Sequence, residues 1–336
     1  MNKNYYIFSD CRLKREGNTL FLILGETKAG KKRDKRVIPI TNVENLFVFS
    51  EVDFNTKLIN LIAKYGIMLH FFNYYGFYSG SFVPRETLLS GYVLVEQVKC
   101  FTNLKKQMIL SKETISAASY NILKNLTYHN QRGKDVSDIK KRVEMLSDKI
   151  GLATKIDELM GIEGNIRQSY YEAFPVIINQ EIEFEKRIKR PPDNMINTLI
   201  SFGNSLLYTT TLSMIYKTQL NSTVSFYHKP SFRRHSLALD ISEIFKPILV
   251  DRIIFRLLNR NMISEKDFEK SLNFCYMKER AKKAFLKEFD NQIKQTIRHK
   301  ILKRNFSYQH LIKLECYKLI KFITEGKDYS AFRIWW

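Results

Sequence analysis

The spacing of hydrophobic and polar positions changes near residue 90 of the chain. Before this point, short runs rich in β-branched and aromatic residues alternate with turn signals such as Glu16-Gly17-Asn18, and such runs predict β-strands. A short helix is expected at 54–65. The runs that predict strands lie at 5–8, 19–24, 36–40, 46–49 and 67–72. We therefore expect residues 1–88 to form a small β-rich domain.

After residue 90 glycine is scarce and apolar residues recur at helical spacing, which predicts helices. The helices are expected near 92–127, 135–185, 194–219, 236–260, 264–273, 277–303 and 307–325. Residues 89–336 should therefore form a larger, all-α domain. The predicted fold class is α+β, with the β-rich domain first and the helical domain second.

The charge balance points to a polyanionic partner. The 336 residues include 55 Lys and Arg against 34 Asp and Glu, a formal net charge of +21. Self-repulsion of this size opposes compaction, so nucleic acid is favoured as a partner over a membrane surface or an acidic protein. A general lysine bias of the source proteome is the alternative.

No signal peptide and no run of 18 apolar residues is found, which predicts a cytosolic protein.

One phosphate-binding motif is excluded. The run 25–31 fits the first seven positions of a P-loop and follows a predicted strand. The eighth position should be Ser or Thr to hold magnesium, but it is Lys32, and a strand rather than a helix is expected next.

The four cysteines form no C-x-x-C pair, so the sequence predicts no zinc ribbon and no redox motif.

Glu163 is an acid at an unexpected position. On a helical wheel it falls within an apolar stripe that includes Leu159, Ile166 and Tyr170. A buried carboxylate is costly unless it is paired or binds a metal. The alternative to a metal ligand is a salt bridge to a basic neighbour, for example one on another helix.

Asp240, Glu243 and His228 form a second group of candidates. The two acids are three residues apart, which places them on one side of a helix, where they repel unless a cation lies between them. The alternative is a solvated acidic face near the helix start. His228 lies in a predicted loop, where most histidines have no special role. Together with Glu163, these residues could form the mixed oxygen and nitrogen site that Mg²⁺ or Mn²⁺ accepts.

Several segments resemble motifs of one known family, the CRISPR-associated adaptation integrases. The match is carried by Met160-Gly-Ile-Glu-Gly164, by the block 189–208, by Ser225-Phe-Tyr-His228 and by the acidic helix 236–252. Segments at 5–9, 66–67 and 76–80 are similar to the β domain of that family. The resemblance spans nearly the whole chain, and its motifs follow one another at suitable spacing.

The resemblance implies a set of roles. Glu163, His228 and Glu243 match the three metal ligands of the family, and Asp240 matches a nearby essential acid. Many members have Asp at the position of Glu243, which leaves open whether Asp240 or Glu243 is the main ligand. The implied reaction is Mg²⁺- or Mn²⁺-dependent transesterification that joins both 3′-ends of a short DNA fragment to a repeat array.

The resemblance also implies partners. It predicts a homodimer formed partly through the β-rich domains, and a complex with a small second CRISPR-associated protein. Membrane association is not expected. The basic residues nearest to the motifs are candidate contacts to double-stranded DNA. They are Arg190, Lys229, Arg233, Arg234 and Arg252.

The alternative functions are a non-catalytic architectural DNA-binding protein and a general metal-dependent nuclease without an integration role.

Overall fold

A computed structural model of the chain describes residues 3–24, 34–85, 88–189, 191–232, 234–271, 274–299 and 302–335. The chain divides into two compact units, Met1–Thr87 and Leu88–Trp336. The excluded P-loop run 25–31 lies outside the described residues, and so do two candidate DNA contacts, Arg190 and Arg233. In the part of the chain described, no helix is both long enough and apolar enough to cross a membrane.

The first unit contains two four-stranded sheets, with the strand orders β1-β5-β7-β8 and β4-β3-β2-β6. Their elements are β1 (Lys3–Ile7), β2 (Cys11–Glu16), β3 (Thr19–Leu24), β4 (Lys35–Pro39), β5 (Val43–Val48), β6 (Val52–Asp53), α1 (Thr56–Lys64), β7 (Met68–Phe72) and β8 (Tyr78–Phe82). Gly17 makes the tight turn between β2 and β3 with φ of 61°, a conformation that favours glycine. Leu13, Leu20 and Leu58 are fully buried in the core between these elements.

The second unit is built mainly from helices. They are α2 (Gly91–Thr102), α3 (Leu104–Asn130), α4 (Ser137–Asp148), α5 (Ile156–Tyr171), α6 (Phe174–Ile177), α7 (Met195–Tyr216), α8 (Ser236–Lys246), α9 (Arg252–Asn259), α10 (Glu279–Lys294) and α11 (Tyr308–Glu325). Helix α7 is buried along most of its length and packs against α8 and α11. Helix α3 packs on α8 from another side, so α8 lies inside the unit.

Helix α8 continues into α9 through a π-helical turn, Pro247–Asp251. Pro247 has no N–H, and the wider turn leaves backbone carbonyls without their usual helical partners. Two asparagines of α3 satisfy carbonyls here: Asn125 Nδ2 donates to Pro247 O at 2.8 Å, and Asn121 Nδ2 donates to Ile244 O at 2.9 Å. These bonds fix the rotation of α8, and with it the direction in which its acids point.

The predicted order, a β-sheet region followed by a helical region, is confirmed. The helix predicted at 264–273 is wrong, because β9 (Phe268–Ser271) pairs there with β10 (Phe274–Met277) in an antiparallel hairpin. Alternation of Phe274 and Tyr276 with buried Cys275 and Met277 has the two-residue period of a strand. The helix predicted at 277–303 ends at Lys294, and β11 (Thr296–Arg298) then pairs with β12 (Asn305–Ser307).

Gly203 on α7 permits a close helix approach, and its replacement by alanine should be costly. A Cβ atom there would lie 2.5 Å from Val250 Cγ1 and 2.8 Å from Phe285 Cζ. We expect Gly203→Ala to lower the free energy of unfolding by about 1–3 kcal/mol through overpacking. Gly161→Ala is the matched control, because nothing lies within 4 Å of its Cβ position on α5. Urea denaturation of both variants tests this, and equal stabilities would contradict the packing argument.

Candidate functional site

The predicted acids and the histidine come from three segments of the helical unit. Helix α5 carries Glu163, α8 carries Asp240 and Glu243, and the loop between α7 and α8 carries His228. Asp240 and Glu243 are each 4% exposed, so the acidic side of α8 faces the protein interior and not solvent. The predicted alternative of a solvated acidic face is therefore wrong.

Asp240 organises the loop that carries His228. Its Oδ2 accepts hydrogen bonds from the backbone N–H groups of Phe226 at 2.7 Å and Tyr227 at 2.9 Å. Its Oδ1 accepts from the backbone N–H of His228 at 2.9 Å and lies 2.8 Å from His228 Nδ1. Because an ionised carboxylate only accepts, Nδ1 is the donor in this pair. The other ring nitrogen, Nε2, then carries a lone pair when the imidazole is neutral.

The free nitrogen of His228 is directed toward Glu243. Nε2 lies 3.9 Å from Glu243 Oε1, and the His228 side chain is 18% exposed. The carboxylate behind the ring fixes both its tautomer and its orientation, as carboxylates do behind metal-binding histidines. Asp240 and Glu243 thus have different surroundings, although they are only one helical turn apart.

Glu243 is held by two cations. Arg167 Nη2 donates to its Oε2 at 2.9 Å, and Lys246 Nζ donates to its Oε1. Burial by itself raises the pKa of Glu243, but the charges of Lys246, Arg167 and His228 outweigh burial and lower it to about 2. Glu243 is therefore ionised at neutral pH despite its burial.

Glu163 forms the salt bridge that was the alternative to metal binding. Arg167 Nε donates to its Oε1 at 3.2 Å, and the two residues are one turn apart on α5 rather than on different helices. The Glu163 side chain is 24% exposed, more than the apolar stripe around it suggests. Arg167 therefore links Glu163 to Glu243, which lie on different helices.

A fourth carboxylate adds to the negative charge of the cluster. Asp251 Oδ2 lies 3.9 Å from Arg167 Nη1, and burial, opposed by the Arg167 charge, raises the pKa of Asp251 to about 6. Burial and the charges of Glu163, Glu243 and Asp240 raise the pKa of the Tyr227 hydroxyl. Within the cluster, the carboxylates therefore exceed what Arg167 and Lys246 neutralise, and a further cation would be stabilised.

The sequence argument missed Arg167, Lys246 and Asp251. Arg167 could have been found, because it follows Glu163 by four residues and lies on the same buried side as Ile166 and Tyr170. Lys246 follows Glu243 by three residues, which is also a contact spacing on a helix. Asp251 has no such signal, because its position depends on the π-helical turn.

The donor types of the cluster fit a divalent cation, but its arrangement is not a closed coordination shell. Two carboxylates and an oriented imidazole are suitable ligands for Mg²⁺ or Mn²⁺. Across the ranges described, however, no three His, Cys, Asp or Glu side chains are arranged to hold a metal ion. Arg167 and Lys246 hold the carboxylates instead.

Three of the candidate DNA contacts can be located. Lys229 is exposed directly after His228, and Arg234 is half-buried close to the start of α8. Arg252 begins α9, where its Nε donates to Asn125 Oδ1 at 2.6 Å. The first two lie next to the acidic cluster in sequence, whereas Arg252 lines a separate cavity on the helical unit.

Comparison with known proteins assigns the chain to a family. The family model "CRISPR associated protein Cas1" matches residues 5–291. The chain belongs to the Cas1 family. It is 52% identical to "CRISPR-associated endonuclease Cas1" of Fusobacterium nucleatum over 336 residues, which cover 100% of this chain and 98% of the relative. The predicted family is therefore confirmed. These matches support an endonuclease that acts in CRISPR adaptation.

Solved structures of the family agree with the fold. TM1797, a Cas1 protein from Thermotoga maritima, has a TM-score of 0.83 and 37% identity, and the match covers 99% of this chain and 100% of that one. A casposase bound to an integration product has a TM-score of 0.85 at 20% identity, with coverages of 99% and 96%. At that identity the casposase shows only that the Cas1 fold is shared.

Replacing Asp240 by asparagine should destabilise the loop that carries His228. The amide has only one acceptor oxygen, and its NH₂ group would face backbone N–H donors. We expect Asp240→Asn to lower the free energy of unfolding by about 2–3 kcal/mol. Asp138→Asn, at a side chain that is 96% exposed, should change it by less than about 0.5 kcal/mol. Chemical denaturation measures both, and an unchanged Asp240→Asn protein would show that these hydrogen bonds do not stabilise the fold.

Proposed function

We propose that this protein inserts short DNA fragments into a CRISPR repeat array by divalent-metal-dependent transesterification. The observation that carries the proposal is the pair Asp240–His228, which leaves His228 Nε2 directed at Glu243 Oε1 at 3.9 Å. An imidazole backed by a buried carboxylate and facing a second carboxylate is suited to bind a cation. Neither an architectural DNA-binding protein nor a solvated helix requires this arrangement.

The proposed ligands are Glu163, His228 and Glu243. Asp240 is assigned a positioning role, because both of its oxygens already accept hydrogen bonds from the loop 226–228. The proposal therefore takes Glu243, rather than Asp240, as the main ligand. When bound, Mg²⁺ or Mn²⁺ would polarise the scissile phosphate and make a 3′-hydroxyl more acidic.

The residues of the chain have separate tasks in this reaction. Arg167 keeps Glu163 and Glu243 together by bonding to both. Lys246 neutralises Glu243, and its side chain, which is 20% exposed, can leave Glu243 when another cation binds. Two basic residues of the loop between α7 and α8 are proposed to contact phosphates of double-stranded DNA. They are Lys229, directly after His228, and Arg234, just before α8 begins. The proposed partners remain a second copy of the chain and a small second CRISPR-associated protein.

His228→Ala tests the reaction itself. His228 lies in a loop and not in the packed core, so we expect truncation to leave an unchanged fold and nearly unchanged DNA affinity. Strand joining and cutting should both fall at least about a hundredfold, because the site loses its nitrogen ligand. A fragment with free 3′-ends is incubated with repeat-containing DNA, Mg²⁺ or Mn²⁺ and the small partner protein. Near-wild-type joining would contradict the assignment.

The same assay separates the alternative functions. Joined products formed by the wild-type protein support integration. Cutting without joining would instead support a general metal-dependent nuclease. DNA binding with neither product would support an architectural role. Fluorescence anisotropy in chelator gives the DNA affinity independently of both reactions.

Lys246→Met tests whether Lys246 and the metal compete for Glu243. In chelator the variant should be less stable by about 2 kcal/mol, because a buried charge loses a charged hydrogen-bond partner. Its gain in melting temperature on adding Mn²⁺ should exceed that of wild type, because no ammonium must first leave. Lys283→Met is the control, at an exposed pair with Glu279 on α10. Equal gains for wild type and Lys246→Met would show that Lys246 does not compete with the metal.

A further inference from the structure

A cavity with a strongly basic lining opens in the helical unit. Its volume is about 720 Å³, and it lies between the C-terminal part of α3 and the full length of α9, beside Asn179. No acidic side chain is among the described residues that line it. The six cationic side chains in its wall are Lys124, Arg132, Lys134, Arg252, Arg256 and Arg260.

Most of this positive charge has no carboxylate partner. Arg256 Nη1 lies 3.0 Å from Glu288 Oε2, a residue outside the wall. Lys134 Nζ donates to Asn179 Oδ1 at 2.7 Å, and Arg252 bonds to an asparagine as well. Within the described residues, Arg256 is the one cation of the six with an ion pair to a carboxylate. The cavity therefore contains several positive charges that are not neutralised.

A histidine in the wall responds to this charge. Burial, together with the nearby charges of Arg252, Arg132 and Lys134, lowers the pKa of His129 to about 4. His129 is thus neutral at pH 7 and contributes a hydrogen-bonding group rather than a seventh cation. Its environment agrees with a cavity that favours anions.

Helix dipoles account for only part of the basic lining. Cations in the last turn of a helix are stabilised by its C-terminus, but this effect fades beyond that turn. Arg256 and Arg260 at the end of α9, and Arg132 after α3, fit this explanation. Lys124 lies six residues before the end of α3, and Arg252 is the first residue of α9. The dipoles therefore do not explain why these two cations line the cavity.

We propose that this cavity binds the phosphate chain of a DNA strand, at a site separate from the acidic cluster. Uncompensated Lys and Arg side chains are the groups that bind nucleic-acid phosphates. Tyr128 adds an aromatic surface at the rim: it is 46% exposed, and the Arg132 guanidinium lies 4.5 Å from its ring centroid. An aromatic ring beside phosphate-binding cations suits a nucleotide strand better than an isolated inorganic anion.

The cavity is connected to the acidic cluster by hydrogen bonds. Asn125 Oδ1 accepts from Arg252 Nε at 2.6 Å, and Asn125 Nδ2 donates to the Tyr170 hydroxyl at 3.0 Å. Tyr170 lies two turns after Glu163 on α5. A strand held at Arg252 would therefore have a fixed register relative to the proposed reaction site. This register rests on the proposed function, whereas binding in the cavity does not.

A charge-matched pair of triple variants tests the cavity. One carries Lys124→Gln, Arg132→Gln and Arg260→Gln. The control carries Lys105→Gln, Lys287→Gln and Lys321→Gln, which remove the same charge from exposed positions on α3, α10 and α11. DNA affinity is measured by fluorescence anisotropy in chelator across a salt series, using a duplex with single-stranded 3′-overhangs. Thermal melts establish that both variants fold.

The expected result is specific to the cavity. For the cavity variant, the slope of log affinity against log salt concentration should become shallower by about two to three units, because each lost phosphate contact removes about one unit. Its DNA affinity at 0.15 M salt should fall roughly a hundredfold. The control should lose less than about one unit. Equal losses in the two variants would overturn the proposal, since bulk charge alone would then explain binding.

Small probes distinguish a DNA strand from a free nucleotide. Tripolyphosphate and ATP are added to the wild-type protein and to the cavity variant in thermal melts. If ATP stabilises only the wild type while both proteins bind DNA equally, the ligand is a free nucleotide and the assignment to DNA is wrong. If the cavity variant loses DNA affinity but wild type joins no strands, the proposed function fails and the cavity site stands.

Discussion

The buried guanidinium of Arg167 is the interaction on which the acidic cluster depends. It bonds to Glu163 on its own helix and to Glu243 on α8, and it lies 3.9 Å from Asp251. Without a cation at this point, several carboxylates would be confined together in a region of low dielectric, where their repulsion is strong. Arg167 therefore lets acids from two helices pack side by side.

Asp240 and Glu243 show how one helical turn separates two roles. Asp240 faces the loop 226–228, where three backbone N–H groups and the His228 ring satisfy its oxygens. Glu243 faces α5, and its partners are the side chains of Arg167 on that helix and of Lys246 on α8. A carboxylate bound to backbone groups cannot change partners without disturbing the loop. A carboxylate bound to side chains can, which makes Glu243 the better candidate to exchange a partner for a metal ion.

The net charge of +21 is distributed in a way that matches these roles. Acids are concentrated where the chain brings together α5, α8 and the loop between α7 and α8, while the cavity between the end of α3 and α9 is lined by cations. Two regions of opposite charge within one helical unit would suit the proposed binding of DNA at one region and of a divalent cation at the other. Asn125 joins the regions, since it bonds to Arg252 and to Tyr170.

The sequence by itself determined the order of the two regions, because the period of the apolar residues changes from two to 3.6 near residue 90. Its motifs also identified the family and marked Glu163, His228, Asp240 and Glu243. It did not determine the antiparallel pairing of β9 with β10, because short amphipathic segments fit helix and strand alike. Nor did it give the partners of the four residues. Arg167 and Lys246 each lie one helical turn from an acid of the cluster, so a local pattern exists for those two pairs. The contacts of Arg167 with Glu243 and Asp251 arise only because α5, α8 and the π-helical turn pack together, and such long-range packing leaves no local pattern.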